Sequence, residues 1–360
     1  MASWRRITGA AGLVAGTAAA GAGAILAAER IAVGRLRGRP DPESGEPLGE
    51  LHGLPLTVLA GDGVALHVET HGPASAPVST VFCHGYALSQ DCWHFQRRDL
   101  DGYRLVFWDQ RDHGRSGRSA PGPATIEQLG TDLKAVLDAT VPADSRVVLV
   151  GHSMGGMTIM ALAEQHPELF GSKVAGVVLI NTAARGLDSG SPWMPSPVRP
   201  LLSRALPGVL NGAAKGRRAM LVERGRSSDM AFLATRFLGF GDGQVSAALV
   251  SFLSEIIGST PIEVIARFSE ALTLVDKRDS LPVLGRVPVT VLVGEKDRLI
   301  ASRLGIELAM DIPGSQLVWV PGGGHVLILE RPDLVNDAII SMLARVGLTG
   351  GRRGTGCVPS

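Results

Sequence analysis

Six short apolar runs constrain this chain more than any other feature. They are VSTVFCHG (78–85), YRLVFWDQ (103–110), SRVVLVGHS (145–153), VAGVVLINT (174–182), VPVTVLVGEKD (287–297) and SQLVWVPGGGH (315–325). Each is rich in β-branched residues and apolar through its middle. None alternates apolar with polar, as a half-exposed strand would. Unbroken apolar strands fit a parallel sheet covered on both faces. Helix-like segments such as 126–137 and 154–166 lie between them and fit right-handed crossovers. Every run ends in Gly, Asp, Asn or His or just short of one. In such sheets ligands bind beyond the carboxyl ends of the strands. Ahead of the first run, LPLTVLAGDGVALHVETHG (54–72) reads as a hairpin turning at Gly61-Asp62-Gly63.

One interval breaks the rhythm. Between about Ala184 and Arg286 no strand pattern appears, while AFLATRFLGF, VSAALVSFLSEIIG and PIEVIARFSEALTLV read as helices. A helical insert between two strands predicts a cap over the strand ends. Pro192, Pro195, Pro197, Pro200 and Pro207 make its entry irregular. The chain divides into an N-terminal apolar segment (1–38), a linker (39–53), a first core part (54–183), the cap (184–286), a second core part (287–346) and a flexible tail (347–360).

The N-terminal segment is a separate problem. Arg5 and Arg6 precede an uncharged stretch, residues 7–28, that is long enough to span a bilayer but consists largely of Ala and Gly. Membrane association through an anchor at residues 7–28 is the leading reading, with an export signal and a soluble or surface-lying helix as the alternatives. Arg30, Arg35, Arg37 and Arg39 follow, and that charge favours keeping the next domain cytoplasmic.

Net charge is +1, so no basic footprint for nucleic acid is present. The three cysteines, Cys83, Cys92 and Cys357, have neither disulfide nor zinc spacing. Cys83 reads as a buried free thiol. The final CVPS is a poor prenylation box because Pro359 occupies its aliphatic position. No signal for a metal, a cofactor or an oligomeric state appears.

Chemistry concentrates at Gly151-His152-Ser153-Met154-Gly155, between a strand and a helix. A nucleophile on so sharp a turn needs small neighbours, because side chains at Gly151 or Gly155 would collide with the adjoining strand and helix. A serine hydroxyl also needs a base. Of nine histidines only His325 follows the insert, on a loop with three glycines. His152 adjoins the serine but is turned elsewhere by the strand-to-helix turn, and His166 lies near the far end of the helix. Asp297 closes the preceding strand and is the favoured orienting acid, with Glu295 and Asp188 as alternatives. The backbone amides of Met154 and Tyr86 are candidate oxyanion donors. The Tyr86 side chain reads equally as pocket lining or packing, and His152 is a second candidate pocket residue. Asp109, Arg111 and His113 read as a loop brace.

These motifs together resemble the α/β-hydrolase superfamily over roughly 54–346. HGYALS resembles its oxyanion loop, GHSMGG its nucleophile elbow, GEKD its acid turn and GGGH its base loop. DQRDHGRS is similar to the family's D-x-R-G-H-G-x-S, with Asp112 in place of a common glycine. Some similarity extends to cofactor-free haloperoxidase-like esterases. The resemblance implies a mostly parallel sheet, helices on both faces and an inserted helical cap. It implies a serine hydrolase working through an acyl-enzyme on a small ester or lipid-like substrate, without cofactor or metal. Perhydrolysis and amide, thioester or carbon–carbon bond hydrolysis are alternatives on the same fold. A silent binding protein is the alternative outside enzymology.

Overall fold

The structure is a computed structural model that describes residue 30 and residues 33–186, 224–241 and 244–347. Asp188, Cys357 and the apolar segment 7–28 lie outside the described residues.

The strands are β1 (Leu54–Leu59), β2 (Ala65–His71), β3 (Val78–Cys83), β4 (Arg104–Trp108), β5 (Arg146–His152), β6 (Val174–Ile180), β7 (Val289–Gly294) and β8 (Gln316–Val320). They form one eight-stranded sheet in the order β1-β2-β4-β3-β5-β6-β7-β8. From β4 to β8 every pairing is parallel. The β1–β2 and β2–β4 pairings are antiparallel. The hairpin expected at Gly61-Asp62-Gly63 joins β1 to β2, and Gly63 takes a left-handed φ of 86° there. The sheet is thus the mostly parallel one expected.

The apolar runs follow from what covers the sheet. Along β5, Val147 and Leu149 face one core with Val81, Leu133, Ile159 and Val291. Val148 and Val150 face a second core with Phe82, Trp93, Ile328 and Ile339. Successive strand residues alternate between faces, so with both faces covered Val147 to Val150 are all apolar. Each enclosed aliphatic side chain contributes roughly 1.5–3 kcal/mol over an exposed one.

Among the described residues the α-helices are α1 (His94–Asp99), α2 (Ile126–Thr140), α3 (Met154–Gln165), α4 (Arg224–Gly239), α5 (Ala247–Ser259), α6 (Ile262–Leu274), α7 (Leu281–Leu284), α8 (Ser302–Asp311), α9 (Leu327–Glu330) and α10 (Pro332–Arg345). Local chemistry starts several of them. Thr125 caps α2 by accepting from the Gln128 amide at 3.1 Å, and Ser246 caps α5 from Leu249 at 3.2 Å. Helix α2 lies so close to α3 that a Cβ at Gly130 would be 2.9 Å from Ala161.

Between β6 and β7 the described elements are α4, α5 and α6. Pro261 separates α5 from α6, and the pair bends by 94°. Among the described residues no single helix is long and apolar enough to cross a membrane; α5 and α6 reach that threshold only as the bent pair. Residues 39–53, expected as a linker, hold on to the fold. Asp41 accepts from the Ala248 amide at 2.8 Å, and Glu46 pairs with Arg98 at 2.6 Å.

Candidate active site

Strand β5 ends at His152 and α3 begins at Met154, so Ser153 alone makes the turn. Its backbone has φ 54° and ψ −120°, in the left-handed half that non-glycine residues avoid. Such a conformation costs on the order of 1–3 kcal/mol and persists only where neighbours enforce it. Here the Ser153 amide donates to Ile180 O at 3.0 Å. Its carbonyl accepts from Gly156 N at 2.9 Å and from Thr182 Oγ1 at 2.7 Å. The flanking glycines have a steric reason. A Cβ at Gly151 would lie 2.7 Å from Gly155 on α3, and one at Gly155 would lie 2.0 Å from the Cys83 carbonyl oxygen.

His325 bridges Ser153 and Asp297. Its Nδ1–H donates to Asp297 Oδ2 at 2.8 Å, which leaves Nε2 facing Ser153 Oγ at 3.1 Å. Asp297 Oδ1 accepts from the Leu299 and Ile300 amides, each at 2.8 Å, so the carboxylate is tied down from both oxygens. All three side chains are nearly enclosed: Ser153 is 8% exposed, His325 6% and Asp297 8%. Glu295 is exposed and does not join them. Its carboxylate instead accepts from Gly322 N at 2.8 Å, within the histidine loop. His166 lies at the far end of α3 and pairs with Glu168 at 3.3 Å.

Tyr86 follows β3 in a turn closed by Leu88 N donating to Gly85 O at 3.2 Å. Among the described residues, no hydrogen bond occupies the backbone amides of Tyr86 and Met154. The Tyr86 phenol donates to the Ile265 carbonyl on α6, so this side chain joins the insert to the turn. Burial raises its pKa. Beneath the turn, His84 donates from Nδ1 to Gly85 O at 2.8 Å and accepts at Nε2 from Gln110 N at 2.9 Å. Burial lowers its pKa to about 4, so the ring is neutral.

His152 is placed differently from a pocket wall. It is fully enclosed, and Nε2–H donates to the His325 carbonyl at 2.9 Å. The physical reason is the turn itself. Ser153 swings outward while the preceding side chain is carried under the histidine loop.

The DQRDHGRS segment is a bracing loop. Asp109 accepts from the Gln90 and Arg115 amides at 2.8 and 2.9 Å. Arg111 is bidentate on Asp132, both contacts at 2.6 Å, and also reaches Asp62 at 2.7 Å. Asp112 has φ 68°, the conformation glycine favours, and Asp tolerates it better than most residues. Its carboxylate accepts from Ser119 N at 2.7 Å and from Arg267 on α6 at 3.1 Å.

The supports of the histidine loop carry no local sequence motif. Asn181, at the end of β6, donates to Gly324 O at 2.6 Å and His325 O at 2.7 Å, and accepts from Gly294 N at 2.8 Å. Glu330 accepts from Gly324 N at 2.6 Å and Gly241 N at 3.1 Å. Arg298, beside Asp297, donates to Phe237 O and Phe240 O at the end of α4, at 2.7 and 2.8 Å. The signal open to a reader was the polar end of each apolar run, which marks Asn181 but not its partners.

Comparison with known families decides the relationship. Residues 80–338 match the model described as the alpha/beta hydrolase family. The chain belongs to this family. The alpha/beta hydrolase fold and hydrolase class follow from that membership. The chain is 29% identical over 289 residues to 3-oxoadipate enol-lactonase 2 of Acinetobacter baylyi, covering 80% of this chain and 96% of that protein. Esterase RhEst1 from Rhodococcus sp. ECU1013 superposes with a TM-score of 0.65 at 23% identity, covering 81% of this chain and 99% of that one. Bromoperoxidase from Bacillus anthracis gives a TM-score of 0.64 at 20% identity, over 81% and 99%. At such identities the two structures speak for the fold. Among the described residues of this alpha/beta hydrolase, no group of three or more His, Cys, Asp or Glu is arranged to hold a metal ion.

Proposed function

We propose that this alpha/beta hydrolase is a serine hydrolase that cleaves a carboxylic ester through an acyl-enzyme. The observation that carries the reading is the hydrogen-bonded chain from Asp297 through His325 to Ser153. His325 Nε2 takes the Ser153 proton as Oγ attacks the acyl carbon. Asp297 holds the imidazole in the tautomer this requires and stabilises the imidazolium. The Tyr86 and Met154 amides receive the oxyanion, consistent with their having no hydrogen bond within the described residues. His325 then gives its proton to the leaving alkoxide. Water then attacks the acyl carbon as His325 removes its proton, and His325 returns that proton to Ser153 Oγ as the bond to the acyl carbon breaks and the acid leaves.

The insert, 184–286, serves as the cap that chooses the acyl group. Tyr86, Met154 and the α6 side chains Val264, Phe268 and Leu272 form one apolar cluster beside the serine, which favours an apolar, lipid-like ester. A lactone is a second acyl substrate on the same machinery, and the enol-lactonase relative favours it. Residues 7–28 serve as a membrane tether. Recovery of full-length protein in membranes agrees with that assignment, and a shortened chain outside the cytoplasm overturns it.

A fluorophosphonate probe tests the reaction class. Ser153 is expected to be modified in folded protein, and Ser153→Ala to abolish both labelling and turnover of p-nitrophenyl esters. No labelling of folded protein overturns the reading. Turnover across acyl chains of increasing length then separates an apolar from a short-chain pocket.

A further inference from the structure

The residue before the serine makes a contact that neither the elbow motif nor the acyl-enzyme scheme requires. His152 is 0% exposed, and its Nε2 lies 2.9 Å from the His325 carbonyl oxygen. A carbonyl only accepts, so Nε2 carries the proton and Nδ1 is the lone-pair nitrogen. The same carbonyl accepts from Asn181 Nδ2 at 2.7 Å. The main chain of His325 is therefore gripped by two donors, one from the end of β5 and one from just past β6.

His152 also faces the oxyanion turn. A Cβ at Gly85 would lie 2.9 Å from His152 Nδ1, so nothing larger than glycine fits between the ring and that turn. Its ring centroid is 4.9 Å from that of His325. One side chain thus touches the base loop and the Gly85 turn while its own backbone leads into Ser153. The groups facing it are His325, Asn181 and His84, and none is an anion.

Resting on the reading of Ser153 and His325 as nucleophile and base, we infer that His152 is a positioning residue for the reaction. Its neutral Nε2–H, together with Asn181, sets the His325 backbone so that Nε2 of His325 meets Ser153 Oγ. A displacement of an ångström in such a base costs on the order of 100-fold in rate. The Asn181 grip alone leaves the carbonyl held from one side.

Three substitutions separate the donor from the bulk. Gln at 152 keeps an N–H where Nε2 stands. Met has the same reach without a donor, and Asn sets its amide at the Nδ1 position. Proteins are compared by fluorophosphonate labelling rate at Ser153, by kcat and KM on a p-nitrophenyl ester, and by thermal melting. His152→Met and His152→Asn are expected to lose about 10–100-fold in labelling rate and kcat with KM little changed. His152→Gln is expected to recover most of that loss while melting no higher than the other two. Wild type that resists labelling sinks the serine-hydrolase reading itself. Wild type that labels, with Met, Asn and Gln variants all equally fast, sinks the positioning role alone. Equal losses in Gln, Met and Asn also overturn it, because the donor would then be immaterial. If neither donorless variant folds, the imidazole serves the fold rather than the base, and the inference falls.

Discussion

Gly241 and Gly324 meet backbone to backbone: a Cβ on Gly324 would lie 2.2 Å from the Gly241 nitrogen. Glu330, its side chain 1% exposed, accepts from both amides. Gly241 lies just beyond the end of α4, and Gly324 precedes His325. Val326 N donates to Gly239 O at 2.9 Å, closing the same seam. The insert and the proposed base are therefore one packed unit at this point.

Gly324→Ala has no room to be absorbed, because the obstacles are backbone atoms of Phe240 and Gly241. Overpacking of this kind costs typically 1–3 kcal/mol. The loop must shift and carry His325 with it. Ester turnover is expected to fall about 100-fold, out of proportion to the drop in melting temperature. Turnover and melting measured on one preparation check this. Unchanged kcat would show that the loop and α4 are not coupled.

Tyr86→Phe removes the phenol and leaves the amide. The lost hydrogen bond to Ile265 on α6 is worth about 1 kcal/mol net. KM is expected to rise about fivefold as α6 loosens over the site, with kcat nearly unchanged. A collapse of kcat would assign the phenol a direct part in the reaction.

His84, His113 and His152 are all fully enclosed, and burial lowers their pKa values to about 4, 3 and 3. Their unfolded value is about 6.5. Between those limits the unfolded chain binds protons that the folded one refuses. Stability is thus at its full value above about pH 6.5 and falls progressively as pH drops toward 4, by up to about 1.4 kcal/mol per pH unit for each histidine. Urea unfolding at pH 7 and pH 5 measures this. A midpoint that stays level between the two overturns it.

Gly258 is the contrasting glycine. It lies within α5, has open space where a Cβ would go, and does not have a left-handed φ. Gly258→Ala removes backbone freedom from the unfolded chain at no steric cost. It is expected to stabilise the protein by about 0.4–1 kcal/mol with full activity, read by denaturant unfolding. A loss of stability would mean that the Gly258 surface is covered.

Much of the site was legible because it is local. A strand, Gly-x-Ser-x-Gly and a helix occupy consecutive residues, so the turn at Ser153 follows from sterics acting over a few positions. His325 and Asp297 were legible because each closes an apolar run, and parallel strands put such ends on one edge. Asp112 departs from the family's common glycine, and its φ of 68° gives the reason that position favours one. The contacts that segment 39–53 makes were not legible, because they are with residues far along the chain, such as Ala248.

The sequence by itself determined the sheet, the turn that lifts Ser153 and the identity of its candidate partners. Those depend on periodicity and on side chains close in the chain. Only the tertiary structure decided what holds His325 in place. Asn181 reaches it across 144 residues, His152 across 173, and Gly241 meets Glu330 across 89. No local propensity encodes such contacts, because each becomes favourable only once packing has removed water from both partners.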